Sequence, residues 1–71
     1  SGVVAVVRGN VPVEACPSLR RVLTTAARGG TVPLTVDLTG IGAETGGLEP
    51  ALRQVAEALR AAGNRLVVRT G

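Results

Sequence analysis

Apolar runs alternate along the chain with stretches in which apolar residues recur at the spacing of a helix. The first run, residues 3–7, reads Val-Val-Ala-Val-Val, and its unbroken β-branched character is typical of a strand buried on both faces. Residues 31–38 form a second run, in which Pro33 is tolerated near the start, and residues 65–69 form a third. We therefore predict three strands, of which the first and the third are buried on both sides.

Two amphipathic helices are predicted between these strands. Residues 14–28 have Pro17 in the first turn and a glycine pair after the last turn, and residues 48–62 end at Gly63. Each helix has one apolar stripe, which we expect to face the core. The stripes consist of Cys16, Leu19, Val22, Leu23 and Ala26 in the first helix and of Leu48, Leu52, Val55, Leu59 and Ala62 in the second.

The order β-α-β-α-β with short connections predicts a small α/β domain with a mostly parallel sheet and right-handed crossovers. Both helices should lie on one face of the sheet, in a single domain that spans residues 1–71. The chain then leaves the other face bare, although the first and third strands are apolar on both sides. We expect a missing segment or a partner to cover that face, and self-association is one way to cover it.

The composition limits both the core and the partners. The 71 residues include no Phe, Tyr, Trp, Met or His, so the core must be built from Val, Leu, Ile and Ala. A domain of this length is marginally stable. The net charge of +3 comes from arginines that are spread singly along the chain, apart from Arg20 and Arg21. Without clustered charge or stacking aromatic residues, nucleic-acid binding is not predicted.

Membrane insertion and secretion are not predicted either. No apolar run approaches the roughly 20 residues of a membrane-spanning helix. The single cysteine, Cys16, cannot form an internal disulfide, and no stretch within residues 1–71 has the pattern of a signal peptide. The expected location is therefore the cytoplasm.

No catalytic, metal-binding or cofactor-binding chemistry is predicted. Cys16 has no histidine to activate it and is expected to pack in the core. Asp37 has no candidate partner for acid–base chemistry and is expected to anchor the following loop through backbone amides. The glycine-rich loop over residues 39–47 lacks the lysine of a P-loop and does not match the dinucleotide fingerprint. Its glycines are expected to permit positive φ angles.

Three segments together resemble the STAS domain of bacterial anti-sigma factor antagonists. Residues 6–19 are similar to the strand, Gly-Glu-Leu-Asp turn and following helix of that family. Residues 36–41, Val-Asp-Leu-Thr-Gly-Ile, resemble the strand that ends in Asp-Leu-Ser-Gly-Val, and residues 48–69 resemble the second helix and the Arg-Leu-Val-Val strand. An initial edge strand and a final helix of the family are not matched, which predicts a short or truncated domain, or part of a larger chain.

The resemblance implies a function in transcription regulation through protein–protein contact. In the family, a serine at the start of the second helix is phosphorylated by an anti-sigma factor kinase, and the unphosphorylated form binds that kinase. Thr45 stands at the matching position. Because Pro50 fits the first helical turn if Gly47 is the N-cap, Thr45 is expected in the loop just before the helix. The implied partner-binding residues are Ile41, Glu44, Thr45, Gly46, Gly47 and Glu49, with Val11, Pro12, Val13 and Glu14 adjacent.

Two other functions remain open at this point. Pro12 and Gly46 replace an acid and a hydroxyl residue of the family, which favours a scaffolding module that works without phosphorylation inside a larger protein or assembly. A glycine-rich loop after a strand is also compatible with a ligand-binding fragment of a larger α/β enzyme.

Overall fold

The computed structural model describes residues 2–70 and contains the predicted elements in the predicted order. Short 3₁₀ turns at Val13–Ala15 and Arg28–Gly30 border the first helix. The strands and helices are β1 (Val3–Gly9), α1 (Cys16–Ala26), β2 (Leu34–Ile41), α2 (Leu48–Ala61) and β3 (Leu66–Arg69).

The three strands form one parallel sheet with β2 in the centre. The register aligns Val3, Leu34 and Leu66 in one row, and a bulge between Val6 and Arg8 interrupts the pairing of β1 with β2. The predicted parallel α/β fold is therefore confirmed.

Both helices pack on one face of the sheet, as predicted. The alternate residues Leu34, Val36 and Leu38 of β2 are buried on this face, and α1 also contacts α2. All the buried side chains are aliphatic. They are Val11, Leu23, Ala27, Leu34, Val36, Leu38, Leu48, Ala51, Val55 and Leu59.

The prediction that the first and third strands are buried on both faces is wrong for the chain as described. Val4 and Val6 of β1 are 58% and 53% exposed, and Val67 of β3 is 47% exposed. By the strand register these residues point away from the helices, to a face that no other element within residues 2–70 covers.

The predicted helix stripes are correct at their centres and wrong at their margins. Leu23 is buried, but Val22 is 61% exposed, and Ala27 is fully buried although it was not assigned to the stripe. In α2, Ala51 is buried although it was not assigned to the stripe. Ala62, which was assigned to it, is exposed and lies just after the helix. Successive helical positions differ by about 100°, so a small rotation of the helix exchanges the residues at the edges of its stripe.

β2 lies three residues further along the chain than the prediction of residues 31–38. Pro33 has no N–H to donate to the ladder, and β2 begins after it. At the other end, Arg8 pairs with Gly40 and Gly9 pairs with Ile41, so β2 continues to Ile41. The first part of the predicted loop over residues 39–47 is therefore a strand.

No helix within residues 2–70 combines the length and the apolar character that crossing a bilayer requires.

Candidate functional site

Two loops meet where the adjacent parallel strands β1 and β2 end. Residues 10–15 lead from β1 to α1, and residues 42–47 lead from β2 to α2. The Gly42 N–H donates to the Gly9 carbonyl oxygen at 2.7 Å. The Val11 N–H donates to Glu44 O at 2.8 Å, and the Gly47 N–H donates to Val11 O at 2.9 Å. The two segments in which the resemblance placed partner-binding residues are therefore in direct contact.

A side chain that the sequence analysis did not single out also joins these loops. The Glu44 N–H donates to Asn10 Oδ1 at 3.1 Å. A Cβ at Gly42 would overlap the same Asn10 oxygen, so this position has little space for a side chain. Asparagine is a common turn residue, so its position directly after a strand could have predicted a structural role for Asn10 in this loop.

The glycines of the second loop allow close approach to the first loop. A Cβ at Gly47 would overlap the Pro12 carbonyl oxygen, and one at Gly46 would lie 3.0 Å from Val13 Cγ2. The expectation that these glycines permit positive φ is wrong, because the glycines with positive φ among the described residues lie elsewhere, at positions 9, 29, 30 and 63.

The loops form one exposed surface, which we name the loop ridge. Val13 is 68% exposed, and Pro12 and Ile41 are half-buried. Val11 and Gly47 are buried beneath this surface, where the Gly47 N–H donates to the Val11 carbonyl oxygen. They are therefore not available for contact with a partner. The exposed or half-buried residues of the loop ridge are Pro12, Val13, Glu14, Ile41, Glu44, Thr45, Gly46 and Glu49.

The start of α2 lies within the loop ridge. Gly47 is the N-cap, and Pro50 lies in the first turn, where a missing N–H breaks no helical hydrogen bond. Thr45 is exposed in the loop before the helix, and its carbonyl oxygen accepts from the Leu48 N–H at 3.0 Å. The predicted placement of Gly47, Pro50 and Thr45 is confirmed.

The electrostatics of this helix start are acidic. Glu49 lies in the first turn of α2, near the positive end of the helix dipole. Its Oε1 is 3.2 Å from Arg53 Nη2, in an exposed ion pair that contributes little stability. Glu44 is exposed in the adjoining loop.

An apolar groove lies beside the loop ridge, between α2 and the edge strand β3. It has a volume of about 490 Å³. The groove was not predicted, because it depends on how α2 lies across the edge of the sheet. Its lining consists of the apolar residues Leu48, Leu52, Ala56, Leu66 and Val68 and the polar residues Thr45, Glu49 and Arg53.

Asp37 lies in β2 and anchors the backbone that follows it, as expected. The Thr39 N–H donates to Asp37 Oδ1 at 2.9 Å. Hydrogen bonds from Thr39 are the main reason that the pKa of Asp37 is lowered, and the positive charges of Arg69 and Arg8 lower it further. Asp37 is therefore a charged carboxylate at neutral pH, and it lies outside the loop ridge.

The remaining candidate chemistry is sparse in the part of the chain that the structure describes. Cys16 is a free, half-buried thiol at the start of α1. No three acidic, cysteine or histidine side chains within residues 2–70 come close enough together to hold a metal ion.

No family model, no curated protein and no solved structure matches this chain. The fold and the site define a class: a small α/β domain of one sheet layer and one helix layer, with a loop ridge and an adjoining apolar groove.

Proposed function

We propose that this chain is a non-catalytic protein-interaction domain that acts as an anti-sigma factor antagonist of the STAS type. Its loop ridge binds an anti-sigma factor serine kinase or a related regulator in the bacterial cytoplasm. One observation carries the proposal: hydrogen bonds join the loops after β1 and β2 into one exposed surface, with Thr45 two residues before the N-cap of α2.

Phosphorylation of Thr45 is the proposed switch. A phosphate adds about 1.5 to 2 negative charges at pH 7. The nearby N-terminus of α2 favours a negative charge and gives the phosphate a stable position. Glu44 lies beside Thr45, and the charge of Glu49 is partly offset by Arg53, so a phosphate would make the loop ridge clearly negative and would weaken binding of a partner that accepts the unmodified surface.

The groove supplies the apolar part of the proposed interface. Thr45 and Glu49 line it together with Leu48 and Leu52. A partner that inserts an apolar side chain there passes close to Thr45, and a phosphate at that position would have to lose solvent when the partner binds. The same residue therefore controls both the charge of the loop ridge and access to the groove.

The test is incubation of the domain with ATP and a bacterial anti-sigma factor serine kinase, read by intact mass. We expect a gain of one phosphate in the wild type and none in Thr45→Ala. Thr25→Ala is the matched control, because Thr25 is an exposed threonine on α1, and it should be phosphorylated like the wild type. A gain that persists in Thr45→Ala, or no gain with a kinase active on another substrate, contradicts the switch.

Binding to the same kinase gives a second measurement. Thr45→Glu should lower the affinity about tenfold or more, which corresponds to about 1.4 kcal/mol, and Thr25→Glu should leave it unchanged. Equal effects of the two substitutions would contradict a contact surface at the loop ridge.

A scaffolding module that needs no phosphorylation is the second candidate, and the uncovered apolar face of the sheet favours it. Kinase binding without phosphate transfer, unaffected by Thr45→Ala, is the outcome that would select it.

A further inference from the structure

The sheet face opposite the helices, which we name the open face, is apolar and uncovered within residues 2–70. All-parallel sheets are found almost only with both faces covered, usually by the helices that connect their strands. Val4, Val6 and Val67 on this face are 58%, 53% and 47% exposed. The strand register arranges the outward side chains in two rows, Val4–Thr35–Val67 and Val6–Asp37–Arg69, with Arg8 beyond the second row.

The charges on the open face have both signs. Asp37 in the central strand has Arg69 beside it in the same row, and the positive charge of Arg8 also acts on its carboxylate. A partner with only acidic or only basic groups would place a like charge against one of these residues. A second copy of the same face offers arginines to Asp37 and a carboxylate to Arg69.

We propose that the open face is the interface between two copies of this chain. A face that binds its own copy forms a two-fold symmetric contact. An axis parallel to the strands would place Asp37 opposite Asp37. An axis across the strands, between the two rows, places Val4 opposite Val6 of the second copy and Asp37 opposite Thr35. It places Arg69 opposite Val67 of the second copy, one row and one strand away from Asp37, and the long arginine side chain can extend over the valine towards that carboxylate.

The open face is small for an interface between two proteins. The strands have seven, eight and four residues, and a rise of about 3.3 Å per residue with a strand spacing of about 4.8 Å gives a face of roughly 300 Å². Standard interfaces bury about 800 Å² per partner, so this contact belongs to the small, weak class. We expect a dissociation constant between about 10 μM and 1 mM.

The test is sedimentation analysis of the chain from about 10 μM to 1 mM. The weight-average mass of the wild type should rise from monomer towards dimer across this range. Val4→Glu and Val6→Glu each place a carboxylate in the apolar patch and should remain monomeric. Val22→Glu is the matched control, because Val22 is a similarly exposed valine on α1, 61% accessible, and it should dimerise like the wild type.

Concentration-dependent amide NMR shifts of the wild type locate the contact without any substitution. They should cluster at Val4, Val6, Thr35, Asp37 and Val67. A monomer at every concentration would overturn the proposal, and so would shifts that cluster at the loop ridge or the groove, or a loss of dimer in Val22→Glu. Kinase binding by Val4→Glu should match that of the wild type, so this proposal and the proposed function can fail independently.

Discussion

At the residue scale, Gly47 connects the fold to the candidate site. Its N–H donates to the Val11 carbonyl oxygen, and it is the N-cap of α2. A Cβ at this position would overlap the backbone oxygen of Pro12, which cannot move aside as a flexible side chain can. The absence of a side chain at Gly47 therefore sets how closely the two loops of the ridge approach.

Gly47→Ala should lower the free energy of unfolding by about 1–3 kcal/mol, because the loops must separate to admit the methyl group. Gly40→Ala is the control, since a Cβ there would contact Arg8 Cγ, part of a long flexible side chain, at 3.2 Å. It should change stability by less than about 0.5 kcal/mol. Urea unfolding measures both variants, and equal losses would show that the contact with Pro12 does not matter.

Asn10 shows a limit of residue-level prediction. Its side chain accepts from the Glu44 N–H across 34 positions of sequence. The sequence identifies asparagine as a turn residue, but nothing local specifies which distant amide its oxygen accepts from.

At the scale of elements, the orientation of α1 distinguishes two adjacent apolar residues. Leu23 is 1% exposed in the core, whereas Val22 is 61% exposed. The periodicity of the sequence places both on one broad stripe. Packing against α2 and the sheet selects Leu23 and Ala27.

Leu23→Ala should destabilise the domain by about 2–5 kcal/mol, because it leaves a cavity among buried aliphatic side chains. Val22→Ala should change stability by no more than about 0.5 kcal/mol, since an exposed valine loses little burial and alanine favours the helix. Thermal unfolding followed by circular dichroism compares the two variants. Similar losses would mean that α1 is not oriented with Leu23 in the core and Val22 in solvent.

At the scale of the whole molecule, one helix layer covers one face of a parallel sheet. The core contains ten buried apolar residues, none of them aromatic, and a domain of this length has little stability to spare. Covering the open face would bury Val4, Val6 and Val67 and add to this small core. Dimerisation and folding should therefore be coupled.

Coupling of this kind makes stability depend on concentration. The midpoint of thermal unfolding should rise with protein concentration for the wild type and stay constant for Val4→Glu. Differential scanning calorimetry at two concentrations about tenfold apart measures the effect. A rise of the same size in both proteins would show that the open face is not responsible.

The sequence by itself determined the element order, the parallel α/β fold, the glycine end of α2 and the placement of Gly47, Pro50 and Thr45. These features depend on local periodicity, on the conformations open to glycine and proline, and on the short connections between strands.

Only the tertiary structure decided that β2 ends at Ile41, that Val22 faces solvent, that Asn10 joins the loops, and that a groove lies between α2 and β3. Each depends on contacts between residues far apart in the chain. The outer valines of β1 show the same division most clearly. The sequence shows that these residues are apolar. Because both helices lie on the other face of the sheet, nothing within residues 2–70 buries them.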